Sequence, residues 1–281
     1  MKTLMILLLA YARPEMLVDT GWLTDHLNDP GIRIVDMRTQ GYEAGHLPGA
    51  VHLANAAIRD AKHPPEFLPS REAFERTMSE LGISNSTRVI AYDERGGIYA
   101  ARLWWILHYY GHSNVALLNG GWVKWKAENR AINNARPRLK AGNFQAKPDP
   151  HWIATAEDVV GAIGKAGMKI VDARTRAEID GKDLRGIKHG GHIPGSIPLY
   201  WEDALDPATL AFRPASELEK LVKDRGIASS DEVIAYCQVG MRASVDLFVL
   251  RLLGYDKLRN YYGAWEEWGN RDDLPIVKPG P

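Results

Sequence analysis

Two stretches of this chain are versions of each other, and no other feature limits its fold as strongly. Ile32 to Leu53 reads IRIVDMRTQGYEAGHLPGAVHL, and Met168 to Leu199 reads MKIVDARTRAEIDGKDLRGIKHGGHIPGSIPL. Each runs from an apolar stretch through Asp-x-Arg and a variable loop to Gly-His-(Leu/Ile)-Pro-Gly. The second copy carries an insertion before its GHIPG. The correspondence continues between Ser86–Trp125 and Ser230–Trp268: both contain Val-Ile-Ala-Tyr, both have a helical pattern ending at a glycine (Gly111, Gly254), and both close with W-x-x-W, Trp122/Trp125 and Trp265/Trp268. The chain is a duplicated unit, and whatever fold one half adopts the other must adopt too. With 281 residues it has room for two ordinary cores.

Each copy alternates short Val/Ile-rich runs with helical periodicity. Uninterrupted apolar runs bounded by turns are the mark of strands covered on both faces, and their alternation with helices implies a parallel sheet in an α/β fold. Between Ala127 and His151 the periodicity fails in a polar stretch rich in Asn and Pro. This places one domain at residues 13–133, a linker at 134–151 and a second domain at 152–276. The paired tryptophans are expected to be packing anchors, since large aromatics mainly supply buried area.

Composition narrows the function classes. Thirty-five Lys+Arg balance thirty-five Asp+Glu, so no basic excess marks a nucleic-acid partner. The single cysteine excludes an internal disulfide and a Cys-rich metal site, and the nine histidines form no cluster at ligand spacing. No metal or organic cofactor is expected. The start, MKTLMILLLAYA, is too short to span a membrane. It reads equally as a short export signal over residues 1–12 or as an apolar N-terminal strand, which leaves the compartment open between cytoplasm and periplasm.

The one cysteine, Cys237, lies in SDEVIAYCQVGMRASV. The apolar run Val233–Tyr236 reads as a central strand, and Val245, Phe248, Val249, Leu252 and Leu253 form a helical stripe. The loop between runs from the carboxyl end of a parallel strand to a helix N-terminus, where open α/β sheets place ligands. The positive helix end and Arg242 both favour thiolate over thiol there, and the backbone N–H groups of the same loop suit an anion. A free cysteine is otherwise most often a small buried hydrophobe. The equivalent loop of the first half, YDERGGIYAA, has Asp93 in place of the cysteine. One copy has kept a nucleophile and the other has not, and a carboxylate at that place implies a position that faces solvent.

These motifs resemble the tandem-domain rhodanese family, the thiosulfate and 3-mercaptopyruvate sulfurtransferases. The resemblance rests on the D-x-R…GH-x-PG block in each half, the cysteine loop in the second half only and the closing GAWEEW, and it spans Pro14 to about Ile276. It implies two tandem rhodanese-like domains, each a mainly parallel sheet with helices on both faces, the first catalytically inactive. It further implies covalent ping-pong transfer through a Cys237 persulfide. Gln238, Val239, Gly240, Met241, Arg242 and Ala243 would line the substrate site, and the first domain would cover the pocket with Ile98 and Tyr99. The loop lacks the C-G-S-G of mercaptopyruvate enzymes, and Val239 stands where vertebrate-type thiosulfate enzymes carry a cation. The Cys-Gln start and the loop arginine are similar to bacterial thiosulfate enzymes, which makes Arg242 the candidate for the donor's charge. A second cation of the family, four positions past the arginine of the second D-x-R, is here Glu178; Arg185 or Lys182 are the substitutes. Partners would be a small sulfur donor and a thiophilic acceptor such as cyanide or a thiol, with a sulfur-accepting protein as a further class, and the chain is expected to be a monomer.

Asp172 and Arg174 recur in the first half as Asp36 and Arg38, and His192 recurs as His46. Residues kept in the half without a nucleophile are expected to support the loops rather than react. Two rivals differ from the thiosulfate reading in chemistry, beside 3-mercaptopyruvate as the alternative donor. A cysteine phosphatase of this kind needs five residues between cysteine and arginine, whereas only Gln238, Val239, Gly240 and Met241 intervene here. A non-catalytic sulfur carrier would have the same loop as an enzyme, and turnover with small acceptors separates the two.

Overall fold

The computed structural model describes residues 10–59 and 68–278. Most of the N-terminal stretch, and with it the signal-or-strand alternative, lies outside the described residues. The part that is described packs on the second domain: Tyr11 Oη donates to the Arg213 carbonyl at 2.6 Å, and Arg13 N to that of Leu252 at 3.1 Å.

The first domain comprises β1 (Leu17–Val18), α1 (Thr20–Asp25), β2 (Ile32–Asp36), β3 (Val51–His52), α2 (Arg71–Glu80), β4 (Arg88–Tyr92), α3 (Ile98–Tyr109), β5 (Val115–Leu118) and α4 (Gly121–Ala127). The second repeats it with β6 (Ile153–Ala154), α5 (Ala156–Ala162), β7 (Met168–Asp172), α6 (Arg176–Ile179), β8 (Ile197–Pro198), α7 (Ala215–Lys223), β9 (Glu232–Tyr236), α8 (Met241–Leu252), β10 (Leu258–Tyr261) and α9 (Ala264–Trp268). The two sheets have the same order, β1-β5-β4-β2-β3 and β6-β10-β9-β7-β8, and every pairing in them is parallel. Even the register repeats: Asp36 pairs with Tyr92 and Asp172 with Tyr236.

Successive strand residues point to opposite faces, and each face finds its own cover. Ile34, Ile90 and Ala116 of the first sheet join Leu23 of α1 and Trp125 of α4. Ile170 and Ile234 of the second join Val159 of α5 and Trp268 of α9. The other faces, with Val35, Val89, Val171 and Val233, share one core with α2, α3, α7 and α8 of both domains. The sequences of α3 and α8 explain this. Both are mostly apolar with little segregation into faces, and nearly every residue is buried, Arg102 and Asp246 included, as befits a helix surrounded by other elements. Each is the helix that follows the nucleophile position of its repeat, and the two pack on each other, with Trp104 against Phe248 at 5.4 Å edge to face.

From Glu128 to Asp149 the chain has no helix or strand beyond an isolated bridge of Asn133 to His46. It is not loose throughout: Gly142 N donates to Ser79 O, and Phe144 is buried against Phe74.

Candidate active site

Cys237 follows the last residue of β9, in the middle of its sheet. Gly240 takes the left-handed conformation (φ 78°) that a side chain with Cβ adopts only under strain, and α8 begins directly after it. The turn is fixed from beneath: the Gly240 carbonyl accepts from Asn260 Nδ2 at 3.0 Å and Ser244 Oγ at 3.1 Å. Trp265 N and Glu266 N of the α9 turn donate to the carbonyls of Cys237 and Gln238 at 2.9 and 3.0 Å. Among the described residues, the backbone N–H groups of Gln238 to Arg242 have no carbonyl or side-chain acceptor.

The first repeat shows what such a loop can hold. Asp93 Oδ1 accepts from Arg95 N and Gly97 N at 2.8 and 2.9 Å, and its Oδ2 from Tyr99 N and Ala100 N at 2.7 and 3.0 Å. Gly97, Tyr99 and Ala100 correspond to Gly240, Arg242 and Ala243 in the loop-to-helix register. Asp93 is 2 % exposed, which corrects the expectation that a carboxylate there marks a solvent-facing position: four amides, not water, satisfy it. Burial drives its pKa up while the four donors pull against it.

Cys237 is itself fully buried, yet it forms part of the wall of a cavity of about 460 Å³ between the domains. Gln238, Val239, Met241 and Arg242 of the loop line this cavity with Arg185, Tyr200, Trp201 and, from the first domain, Arg95 and Ile98. Of the two residues expected to cover the pocket, Ile98 lines this cavity and Tyr99 does not. One residue further round α3, Tyr99 turns into a separate space beside Arg38, His52 and Arg59. Arg95, Tyr200 and Trp201 were not foreseen. Arg95 was visible inside the YDERGG loop, but only the packing of the two domains brings it to the cysteine.

Arg242 differs most from expectation. Its Nη1 and Nη2 donate to Glu178 Oε2 and Oε1 at 2.6 and 2.7 Å. Burial works against the Arg242 charge, but the Glu178 carboxylate and the Cys237 sulfur beside it raise its pKa above that of an ordinary arginine. Burial likewise pushes Glu178 up, and Arg242 with the Thr175 N–H outweighs it, bringing Glu178 to about 2. Thr175 caps α6 and exchanges hydrogen bonds with Glu178 in a capping box, so the carboxylate is held from both ends. The loop cation is therefore already matched by an anion and does not stand alone to receive the donor. Arg185, half exposed, comes within 3.9 Å of Glu178 and lines the cavity, whereas Lys182 lies by Asp180 outside it.

The shared motifs brace the loops. Arg174 Nε and Nη2 grip Asp172 at 2.9 and 2.7 Å, and Tyr236 Oη donates to the same carboxylate at 2.5 Å. Arg38, Asp36 and Tyr92 repeat this in the first domain. His46 is buried and stacked on Tyr42 at 4.0 Å. Its backbone pairs with Asn133 as that of His192 pairs with Val277, so both histidines fasten the segment that leaves their domain.

The family model described as "Rhodanese-like domain" matches the chain twice, over residues 19–128 and 155–271. A thiosulfate sulfurtransferase of Corynebacterium glutamicum is 38% identical over 95% of this chain and 91% of its own. The sulfur carrier protein TtuD of Thermus thermophilus is 36% identical, over 96% of this chain and 99% of its own. The crystal structure of the 3-mercaptopyruvate sulfotransferase SseA from Escherichia coli superposes with a TM-score of 0.80 at 30% identity, covering 89% of this chain and 98% of that one. With its two parallel-sheet domains and their matching folds, the chain belongs to the rhodanese family as a tandem-domain sulfurtransferase.

Proposed function

We propose that the chain moves the sulfane sulfur of thiosulfate to a thiophilic acceptor through a persulfide on Cys237. The Asp93 loop is the observation that carries this reading. In the repeat where the chain supplies its own anion, four amides close on it; in the repeat with cysteine, the amides of Gln238 to Arg242 remain for an anion formed there. The thiolate attacks the outer sulfur of thiosulfate, the S–S bond to the sulfonate breaks, and sulfite leaves with the electron pair. The terminal persulfide sulfur reaches about 2 Å beyond Cys237 Sγ, from the buried wall into the cavity. Cyanide or a thiolate then takes that sulfur and returns the thiolate of Cys237.

Because Glu178 holds both terminal nitrogens of Arg242, the cations that would meet the two negative charges of thiosulfate are Arg95 and Arg185, one from each domain, assisted by the N-terminus of α8. Arg185 keeps only a long 3.9 Å contact to Glu178. The inactive domain thereby contributes charge as well as the apolar cover of Ile98. Thiosulfate is favoured over 3-mercaptopyruvate by the names of the C. glutamicum relative and by a loop without C-G-S-G. The Thermus relative's name supports a protein acceptor as a second outlet for the same persulfide.

Incubation with thiosulfate should leave the intact protein heavier by one sulfur atom, reversed by cyanide and absent in Cys237→Ser. No adduct with thiosulfate or with 3-mercaptopyruvate sinks the proposal, and turnover on 3-mercaptopyruvate alone replaces the donor. Arg185→Ala should raise the KM for thiosulfate about tenfold or more, the value of one charge-assisted contact, with little change in unfolding midpoint.

A further inference from the structure

A cavity larger than the one at the cysteine lies elsewhere. About 840 Å³ in volume, it lies in the first domain between Arg38, Trp122, Lys126, Ile132 and Asn133. The second domain shows what belongs in such a place, because there the chain fills it. Arg174 reaches the Gly191 carbonyl 17 positions on, where Arg38 reaches that of Gly45 only 7 positions on. The extra residues fold back over Trp265: the His189 carbonyl accepts from Trp265 Nε1 at 3.2 Å, and Ile187 packs in the same core beside Ile276. Ile187 comes so close to Gly269 that a Cβ at that position would lie 2.6 Å from its Cγ2. An oxygen for the indole N–H and a branched aliphatic group therefore cover the tryptophan.

Among the described residues of the first domain nothing supplies that cover. Trp122 is half-buried, and the Arg38 guanidinium stacks on it at 3.7 Å, as Arg174 does on Trp265 at 4.2 Å. Among the described residues Trp122 Nε1 donates to no protein atom, although Trp125, Trp265 and Trp268 all donate to carbonyls. Ile132, which corresponds to Ile276, is 44% exposed. Arg38 is 3% exposed; its Nε and Nη2 are taken by Asp36 and Gly45, which leaves Nη1. The glycine that admits Ile187 in the second domain, Gly269, corresponds in the first to Lys126, whose ammonium lies 5.8 Å from the Trp122 ring. Glu94 also lines the cavity; its Oε1 accepts from Thr39 N and Oγ1, and its Oε2 is buried with no partner among the described residues.

We infer that the cavity over Trp122 is a binding site for a small branched aliphatic carboxylate. Its oxygens take the N–H groups of Trp122, Lys126 and Arg38, and its alkyl group takes the place on Ile132 that Ile187 takes in the second domain. The replacement of glycine by lysine favours an anion over a neutral amide. Trp122 is in this respect unlike its three companions, which are packing anchors.

Isovalerate is the probe, with isovaleramide as its uncharged match, titrated into the full-length protein while the tryptophan indole N–H resonances are followed by NMR. The Trp122 resonance is assigned by its loss in Trp122→Phe. It should shift saturably with isovalerate, with at least about tenfold weaker binding for isovaleramide and for Lys126→Glu. Lys126→Glu should keep the native thermal unfolding midpoint, which shows that it is folded. The inference is overturned if the Trp122 resonance does not shift, if the amide binds as well as the acid, or if Lys126→Glu binds isovalerate unchanged. Because neither readout uses Cys237, the result stands apart from the choice of sulfur donor.

Discussion

A buried guanidinium with both terminal nitrogens on one carboxylate is a fixed object, and Arg242 has become part of the frame of the cysteine loop rather than a free receptor for anions. The pair joins α6 to the first turn of α8, and the capping box at Thr175 prevents Glu178 from swinging away. Removing one partner leaves a buried charge, so Glu178→Gln should cost about 3 kcal/mol of unfolding free energy. Its pH dependence identifies the cause. Glu178 is held at about 2 in the folded protein, below the 4.5 of an ordinary glutamate. Its contribution is therefore complete above pH 4.5 and lost as the pH falls through about 2. The stability gap between the native protein and Glu178→Gln, followed by denaturant unfolding, should narrow over that interval. A gap that stays constant with pH would mean that packing, not charge, makes the difference.

At the scale of elements, α3 and α8 carry both the active site and the joint between domains. His108, near the end of α3, sits there as a neutral ring. Burial, with Arg251, His112 and Arg13 nearby, depresses its pKa to about 4, against a smaller upward pull from the Trp104 carbonyl. The unfolded chain takes up this proton first, so stability should begin to fall below pH 6.5 and level off below pH 4, by about 3 kcal/mol in all. His108→Gln should flatten that decline, which thermal unfolding between pH 7 and 4 can measure; an unaltered slope would place the titrating group elsewhere. Much at this scale was legible in the sequence. The repeated Val-Ile-Ala-Tyr runs gave β4 and β9, and the positive-φ glycines Gly111 and Gly254 follow the ends of α3 and α8, because strand and helix patterns are local. The Arg242–Glu178 pair spans 64 positions and needs the finished sheet to bring its ends together. The placing of Ile98 and Tyr99 turned on one helical step, which no repeat alignment resolves. The burial of Asp93 was misjudged because charge alone suggested solvent, while the amides that bury it belong to the backbone.

On the scale of the molecule, duplication explains why a copy without the cysteine persists. A single repeat would expose the whole outer side of α3 or α8, faces that native chains do not leave to water. Paired, they bury one another in a core common to both domains, and the same contact brings Arg95 and Ile98 to the cysteine. Covalent continuity then matters less than this surface. Residues 137–139 of the linker are mostly exposed, and a specific protease site inserted there would cut the chain without touching either core. The two fragments should still elute as one species of unchanged size, unfold in a single transition and retain thiosulfate turnover. Separation into two folded fragments would show that each domain stands alone and that the linker holds them together. Fragments that stay together without turnover would show that the shared core survives the cut but no longer sets Arg95 and Ile98 against Cys237.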